Sequence, residues 1–69
     1  MNKLKRIRLE KNLTQEKMAE MMSSDEFKVK RADISSIETK NSNPTYQFMK
    51  AFKRTFPEYK IEDVFFYNI

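Results

Sequence analysis

The chain has 69 residues, which is near the lower limit at which a hydrophobic core alone stabilises a domain. It contains neither cysteine nor histidine, so disulfides and the usual zinc ligand sets are excluded, and neither a metal nor another cofactor is predicted. No apolar run reaches the roughly 20 residues of a membrane span, and no signal peptide follows Met1. We therefore expect one cytoplasmic domain over residues 1–69, with no membrane partner.

The charge of the chain is unevenly distributed. Fourteen lysines and arginines against ten acidic residues give a net charge of +4. Residues 1–22 and 28–54 are basic, whereas residues 23–27 and the segment from residue 55 onward each have a net charge of −2. A basic body with an acidic end is typical of a protein with one nucleic-acid-binding face. An ordinary solvated surface accounts for the charge equally well.

The first two helices are predicted by apolar spacing and by the residues at their ends. The spacing of Leu4 and Ile7 predicts a first helix from about residue 2 to residue 11. This helix stops at Asn12, because the chain has no glycine and asparagine is the next residue to tolerate a left-handed backbone. Thr14 is predicted to be the N-cap of a second helix, whose apolar face continues to Met22.

Three further helices complete an all-α fold. The third ends near Glu38 and is followed by a polar loop over residues 39–43. Pro44 and Thr45 open the fourth helix, Pro57 ends it, and a short fifth helix runs from about residue 60 to residue 66. The apolar residues at helical spacing form the predicted core of this five-helix bundle: Leu4, Ile7, Met18, Ala19, Met22, Ile34, Ile37, Met49, Phe52, Phe56, Val64 and Phe65.

Four segments of the chain resemble, in the same order, segments of the Cro/C1-type helix-turn-helix family of small phage and plasmid repressors. Members of this family have the lambda-repressor-like fold. Leu13–Ala19 is similar to the opening of the family's second helix, and Ile34–Glu38 to the end of its recognition helix. Pro44–Phe56 and Ile61–Phe65 are similar to its fourth and fifth helices. The resemblance covers nearly the whole chain, and it implies a sequence-specific regulator of transcription that binds double-stranded DNA.

The resemblance also implies which residues contact DNA, because the family's recognition helix lies in the major groove. The base-facing positions of this sequence are Lys30, Arg31, Ala32 and Ser36. Among them, Arg31 is the best candidate for sequence recognition, since a guanidinium group can bind O6 and N7 of guanine together. The phosphate-facing positions are Gln15, Lys40, Asn41 and Asn43.

Arg8 and Glu38 match a pair of positions that has a structural role in the family. There, an arginine and a glutamate form a partly buried ion pair between the first helix and the recognition helix. In a buried pair, loss of one partner costs about 3–5 kcal/mol, whereas two surface charges contribute less than about 1 kcal/mol. The match at both positions favours the buried pair.

The connection between the second and third helices departs from the family pattern, because it is longer by the five residues Ser23–Phe27 and lacks the usual glycine. Ser23 and Glu26 have the spacing of a capping box, so the insertion can form a helical turn before a normal third helix, with Val29 packed in the connection. Alternatively, the third helix begins early, which would place Phe27 on the same face as Ile34. We favour the break, although Asp25 and Glu26 bring negative charge close to the predicted DNA-binding face.

The two other classes of function are an enzyme and a modulator that binds another protein. An enzyme is not predicted, since the sequence has no histidine, cysteine, carboxylate cluster or glycine-rich phosphate loop. No catalytic residue and no small-molecule substrate follow. The alternative function is a phage-type modulator or antirepressor that binds a repressor protein through the same fold, because a fold does not determine its use. The acidic insertion would suit a basic partner surface.

A partner chain is expected under either function. The end of the sequence, Phe65–Ile69, is so apolar that one small domain has difficulty burying all of it. If part of it remains exposed, it supplies a surface for a homodimer or for a heteromeric complex with another repressor protein. Burial of the whole segment in the core is the alternative.

Overall fold

The structure is a computed structural model, which describes residues 2–40 and 43–66. Within these ranges the chain contains helices and no strand. The helices are α1 (Leu4–Glu10), α2 (Gln15–Met22), α3 (Arg31–Thr39), α4 (Tyr46–Thr55) and α5 (Ile61–Phe65). The five-helix all-α fold expected from the sequence is thereby confirmed. Among the described residues, no helix has the length and apolar character needed to cross a membrane.

The turn from α1 to α2 is a Schellman motif centred on Asn12, which has the one positive φ angle, 57°, among the described residues. The backbone N–H of Asn12 donates to the carbonyl of Leu9, and that of Leu13 donates to the carbonyl of Arg8, both over 3.0 Å. Thr14 then caps α2 by accepting a hydrogen bond from the backbone N–H of Lys17 at 3.0 Å. The predicted stop at Asn12 and the predicted N-cap are both confirmed.

The connection from α2 to α3 is a non-helical segment, so the predicted break is correct and the early start of the third helix is not observed. The additional helical turn is also not formed. The hydroxyl of Ser23 accepts a hydrogen bond from the N–H of Val29 and donates one to the carbonyl of Ala19, both over 2.8 Å. Because this hydroxyl closes the end of α2, it does not start a capping box with Glu26. Val29 is buried in the connection, as expected.

Aromatic side chains join α4 to α5. The rings of Phe52 and Phe65 meet almost at right angles with centroids 5.3 Å apart, and those of Phe48 and Phe65 do so at 6.0 Å. Edge-to-face pairs of this kind are favourable beyond the apolar area that they bury. Phe52 also contacts Phe56, with centroids 5.2 Å apart. Phe65, the first residue of the apolar C-terminal segment, therefore belongs to the core.

The ends of α4 follow the sequence signals closely. Thr45 is the N-cap and accepts a hydrogen bond from the backbone N–H of Phe48 at 3.1 Å. The helix ends at Thr55, and Phe56 leaves the helical conformation (φ −127°, ψ 71°) because the following Pro57 disfavours it there.

The core matches the prediction except on one face of α4. Every predicted core residue is buried apart from Met49, which is half-buried and packs against the edge of the core. The prediction followed the spacing from Met49 to Phe52, whereas the buried face of α4 contains Phe48, Ala51 and Phe52. These positions also have helical spacing, and the larger phenylalanine occupies the interior.

A surface contact links the end of α1 to the loop between α4 and α5. The ammonium group of Lys11 lies 2.7 Å from a carboxylate oxygen of Glu58 and within 5.7 Å of the ring centroids of Phe56 and Tyr59. The hydrogen bond between the two charged groups raises the pKa of Lys11 and lowers the pKa of Glu58.

We predict that Glu58 titrates below its ordinary pKa of about 4.5 and that Lys11→Met moves this pKa back up. Because the pKa is lowered in the folded chain, the contact stabilises the fold above the ordinary pKa, and its contribution is lost as the pH falls through the folded value. NMR titration of the carboxyl group of Glu58 measures the effect. Lys17→Met is the matched control, since Lys17 contacts Glu20 rather than Glu58. A Glu58 pKa unaffected by Lys11→Met would contradict the assignment.

Candidate nucleic-acid interface

Helix α3 is buried along one side and uncovered along the other. Ile34 and Ile37 are 0% and 5% exposed and fix the inner side against the core. Lys30, which is the N-cap, and the first two residues of the helix, Arg31 and Ala32, are exposed. The helix is therefore held rigidly while its first turn remains accessible to a ligand.

Three of the four predicted base-facing residues lie together on the outer side of α3. They line a shallow depression whose residues are Arg31, Ala32, Ser35, Ser36, Thr39 and Lys40. Lys30 does not line this depression, although it adjoins Arg31 in the chain. The depression also contains Lys40, one of the predicted phosphate-facing residues, at the C-terminal end of the helix.

Ser35 and Thr39 belong to this surface and were not among the predicted site residues. The hydroxyl of Thr39 donates a hydrogen bond of 2.7 Å to the carbonyl of Ser35, so it also closes the last turn of α3. One ridge along the helix contains Arg31, Ser35 and Thr39, which follow one another at intervals of four residues. The neighbouring ridge contains Ala32, Ser36 and Lys40. This i, i+4 pattern was the sequence signal that could have identified them.

Arg8 and Glu38 form the ion pair that was expected between the first helix and the recognition helix. The guanidinium Nε lies 2.7 Å from Glu38 Oε2, and Nη2 lies 3.0 Å from Oε1, which makes the contact bidentate. The side chains are 10% and 1% exposed. Arg8 Nη1 also donates to the carbonyl of Leu13 at 2.8 Å. The hydrogen bond to Glu38 raises the pKa of Arg8 above its already high ordinary value, so the guanidinium group stays charged.

Gln15 is attached to the same network. Its amide Nε2 donates to Glu38 Oε1 over 3.1 Å, which holds the side chain at the start of α2 against the end of α3. A primary amide carries two N–H donors, and one of them is used in this contact. Within the described part of the chain, the second N–H has no hydrogen-bond acceptor.

The other predicted phosphate-facing residues lie in or near the depression on α3. Lys40 is exposed and lines the depression that contains Arg31. Asn43 is exposed in the loop before α4 and lines a second depression with Ser36 and Pro44. Asn41 lies outside the described residues. Ser36 lines both depressions, so it connects Asn43 to the surface of α3.

The acidic residues near α3 have contacts of their own. The carboxylate of Asp33 accepts a hydrogen bond from the backbone N–H of Lys30 at 3.1 Å and so caps the helix. Glu26 lines a cleft between the insertion and α4, together with Lys50 and Arg54. Neither acid lines the depression that contains Arg31.

No group of three or more potential metal ligands occurs in the described part of the chain. A family model described as helix-turn-helix matches residues 4–64, from the start of α1 into α5.

The chain belongs to the Cro/C1-type helix-turn-helix family.

Members of this family are DNA-binding regulatory domains, and the chain is a DNA-binding regulator in this general sense. In the family's terms, α2 and α3 are the helix-turn-helix pair and α3 is the recognition helix. Comparisons with curated proteins and with solved structures gave no significant match.

We predict that Arg8→Met lowers the free energy of unfolding by about 3–5 kcal/mol, because the carboxylate of Glu38 stays buried without its cation. Urea denaturation measures the change. Arg6→Met is the matched control on the same helix, since Arg6 contacts Glu10 at 3.5 Å with both side chains more than half exposed. The control should cost less than about 1 kcal/mol. Equal effects of the two substitutions would show that burial of the Arg8 pair contributes nothing.

Proposed function

We propose that the protein is a Cro-like transcriptional repressor that binds specific sequences of double-stranded DNA with α3 in the major groove. The observation that supports this function is the two-sided character of α3, which is anchored through Ile34 and Ile37 and exposed at Arg31 and Ala32, with the half-buried Ser36 lining the same depression. A helix presented in this way fits the major groove, which is about 12 Å wide. A repressor of this kind acts in the compartment that holds the DNA, which we take to be the cytoplasm.

The base-facing residues differ in what they can recognise. The guanidinium of Arg31 binds O6 and N7 of one guanine, and Ala32 packs against the methyl group of a thymine. The hydroxyl of Ser36 both donates and accepts, so it accommodates several bases. Lys30 reaches either a base or a phosphate from the N-cap position. Sequence preference therefore depends mainly on Arg31.

The phosphate-facing residues orient α3 without selecting a sequence. The free N–H of the Gln15 amide donates to a phosphate at the start of α2, where the backbone N–H groups of the helix also favour an anion. Lys40 and Asn43 contact the sugar-phosphate backbone of the DNA, and the family resemblance assigns the same role to Asn41. Since Gln15 is held by Glu38, the ion pair that stabilises the fold also sets the position of this phosphate contact.

We predict that Arg31→Ala relaxes the sequence preference, whereas Gln15→Ala weakens binding to all sequences alike. Loss of the bidentate guanine contact should cost about 1–3 kcal/mol at one base position. Selection from random DNA, carried out for the wild type and both variants, measures the preference. Thermal unfolding of Gln15→Ala is recorded in parallel, because this residue also contacts Glu38. A selected motif that survives Arg31→Ala unchanged would remove Arg31 from base recognition.

We further propose that the repressor acts as a homodimer, because one small module covers a single half-site and paired half-sites require two-fold symmetry. An apolar trough between α4 and α5 supports this proposal. It is lined by Tyr46, Met49, Lys50, Lys53, Arg54, Ile61 and Phe66. Tyr46 and Phe66 are 74% and 57% exposed, so part of the apolar C-terminal segment remains uncovered. Residues 67–69 lie outside the described part of the chain.

We predict that Phe66→Glu weakens self-association, because it introduces a charge into the apolar trough. Sedimentation equilibrium at high protein concentration, with and without a palindromic DNA site, measures the oligomeric state. Leu9→Glu is the matched control, since Leu9 is an equally exposed apolar residue (55%) on α1. A wild-type protein that stays monomeric under both conditions would rule out the homodimer.

The same trough favours a second candidate function, the modulator or antirepressor that binds a repressor protein. Lys50, Lys53 and Arg54 surround its apolar floor, so a partner chain with acidic and apolar side chains would fit it. Gel-shift experiments with random DNA distinguish the two functions. A repressor binds DNA by itself, whereas a modulator binds feebly alone and gains or cancels binding when its partner repressor is present.

A further inference from the structure

The insertion before α3 is built as a closed turn followed by a short extended segment. The backbone N–H of Ser24 donates to the carbonyl of Phe27 at 2.8 Å, and the N–H of Phe27 donates back to the hydroxyl of Ser24 at 3.2 Å. These two hydrogen bonds put Asp25 and Glu26 at the exposed tip of the turn.

The segment from residue 27 to residue 30 is anchored by alternate residues. Phe27 is half-buried against the core, and Val29 is 6% exposed with its N–H bound to the hydroxyl of Ser23. The N-cap Lys30 has an extended backbone (φ −99°, ψ 151°). In an extended chain, successive side chains point to opposite sides. Burial of Phe27 and Val29 therefore directs Lys28 and Lys30 outward together, and both are exposed.

Lys28, Lys30 and Arg31 are three exposed cations within four residues at the entry to α3, and we call them the entry cluster. In residues 2–40 and 43–66, none of the three has a carboxylate within ion-pair distance. The carboxylate of Asp33 accepts a hydrogen bond from the backbone N–H of Lys30, and Glu26 lines a cleft with Lys50 and Arg54. The side chains of the entry cluster therefore form no ion pair within the described part of the chain.

We propose that the connection between α2 and α3, residues 23–30, is a DNA-binding element in its own right, in which Lys28 binds one phosphate of the duplex next to the bases that α3 contacts. This inference rests on the proposed function, because it requires α3 to enter the major groove. The connection thereby lengthens the contact with the DNA backbone by one phosphate. Lys28 raises the affinity and helps to fix the position of α3 on the DNA, whereas the base preference depends on Arg31.

The test compares wild type, Lys28→Ala and Lys5→Ala on the DNA site selected by the wild type. Lys5 is an exposed lysine of α1, so its loss changes the net charge equally without touching the entry cluster. Binding is measured over a range of salt concentrations. We expect Lys28→Ala to make the log–log salt dependence shallower by about 0.9, the value for one phosphate contact. Lys5→Ala should leave it unchanged, and both variants should select the wild-type motif.

A second measurement locates the contact on the DNA. Each phosphate of the selected site is replaced in turn by an uncharged methylphosphonate, and the loss of binding is recorded for each protein. One position should weaken binding by the wild type and by Lys5→Ala but have no effect on Lys28→Ala. If the wild type binds and Lys28→Ala keeps the full salt dependence and the full set of sensitive phosphates, the assignment of Lys28 is wrong and the repressor function stands. If the wild type binds no DNA, both are wrong.

Discussion

The bidentate contact between Arg8 and Glu38 is the interaction on which the arrangement of the first three helices depends. One guanidinium group on α1 binds the carboxylate at the end of α3 and also the carbonyl of Leu13 in the turn that leads to α2. The same carboxylate accepts a hydrogen bond from Gln15 at the start of α2. A single buried charge pair thus connects both helices of the helix-turn-helix pair to the helix that supports them.

The same network helps to hold α3 in place while the outer side of the helix stays exposed. The inner side of α3 is held by apolar packing, its C-terminal end by Glu38, and its N-terminal end by the cap from Asp33. The first two of these contacts tie α3 to the rest of the domain, whereas the cap is local to the helix. Changes to the side chains on the outer side leave these contacts intact. Rigid support and variable contact residues are what sequence-specific recognition requires.

Much of the fold could be predicted because its signals are local. Asn12, Thr14 and Pro57 each act within a few residues, and each ends or begins a helix where expected. The face of α4 could not be fixed in this way, because Met49 and Phe48 both have helical spacing and the choice depends on packing against Phe65 of α5. The conformation of the insertion could not be determined in this way either. It depends on the hydroxyl of Ser23, which bonds to Ala19 before the insertion and to Val29 after it.

The candidate site was predictable in part, for a related reason. The exposure of Arg31 and Ala32 agrees with positions that the family resemblance indicated. The contact between Gln15 and Glu38 joins residues 23 positions apart and has no local pattern. The sequence does not single out Lys28, because Asp25 and Glu26 dominate the charge of this region. Its direction follows from the burial of its neighbours Phe27 and Val29, which only the folded chain reveals.

The left-handed turn at Asn12 also affects the unfolded chain. In many helix ends a glycine occupies this position, and glycine loses more backbone freedom on folding than any other residue. This chain has asparagine there, whose unfolded backbone has fewer conformations to lose. A left-handed backbone strains a residue that has a Cβ, so the lower entropy cost at Asn12 offsets part of this strain. The turn is thereby made without the most flexible residue, in a domain of 69 residues whose core is small.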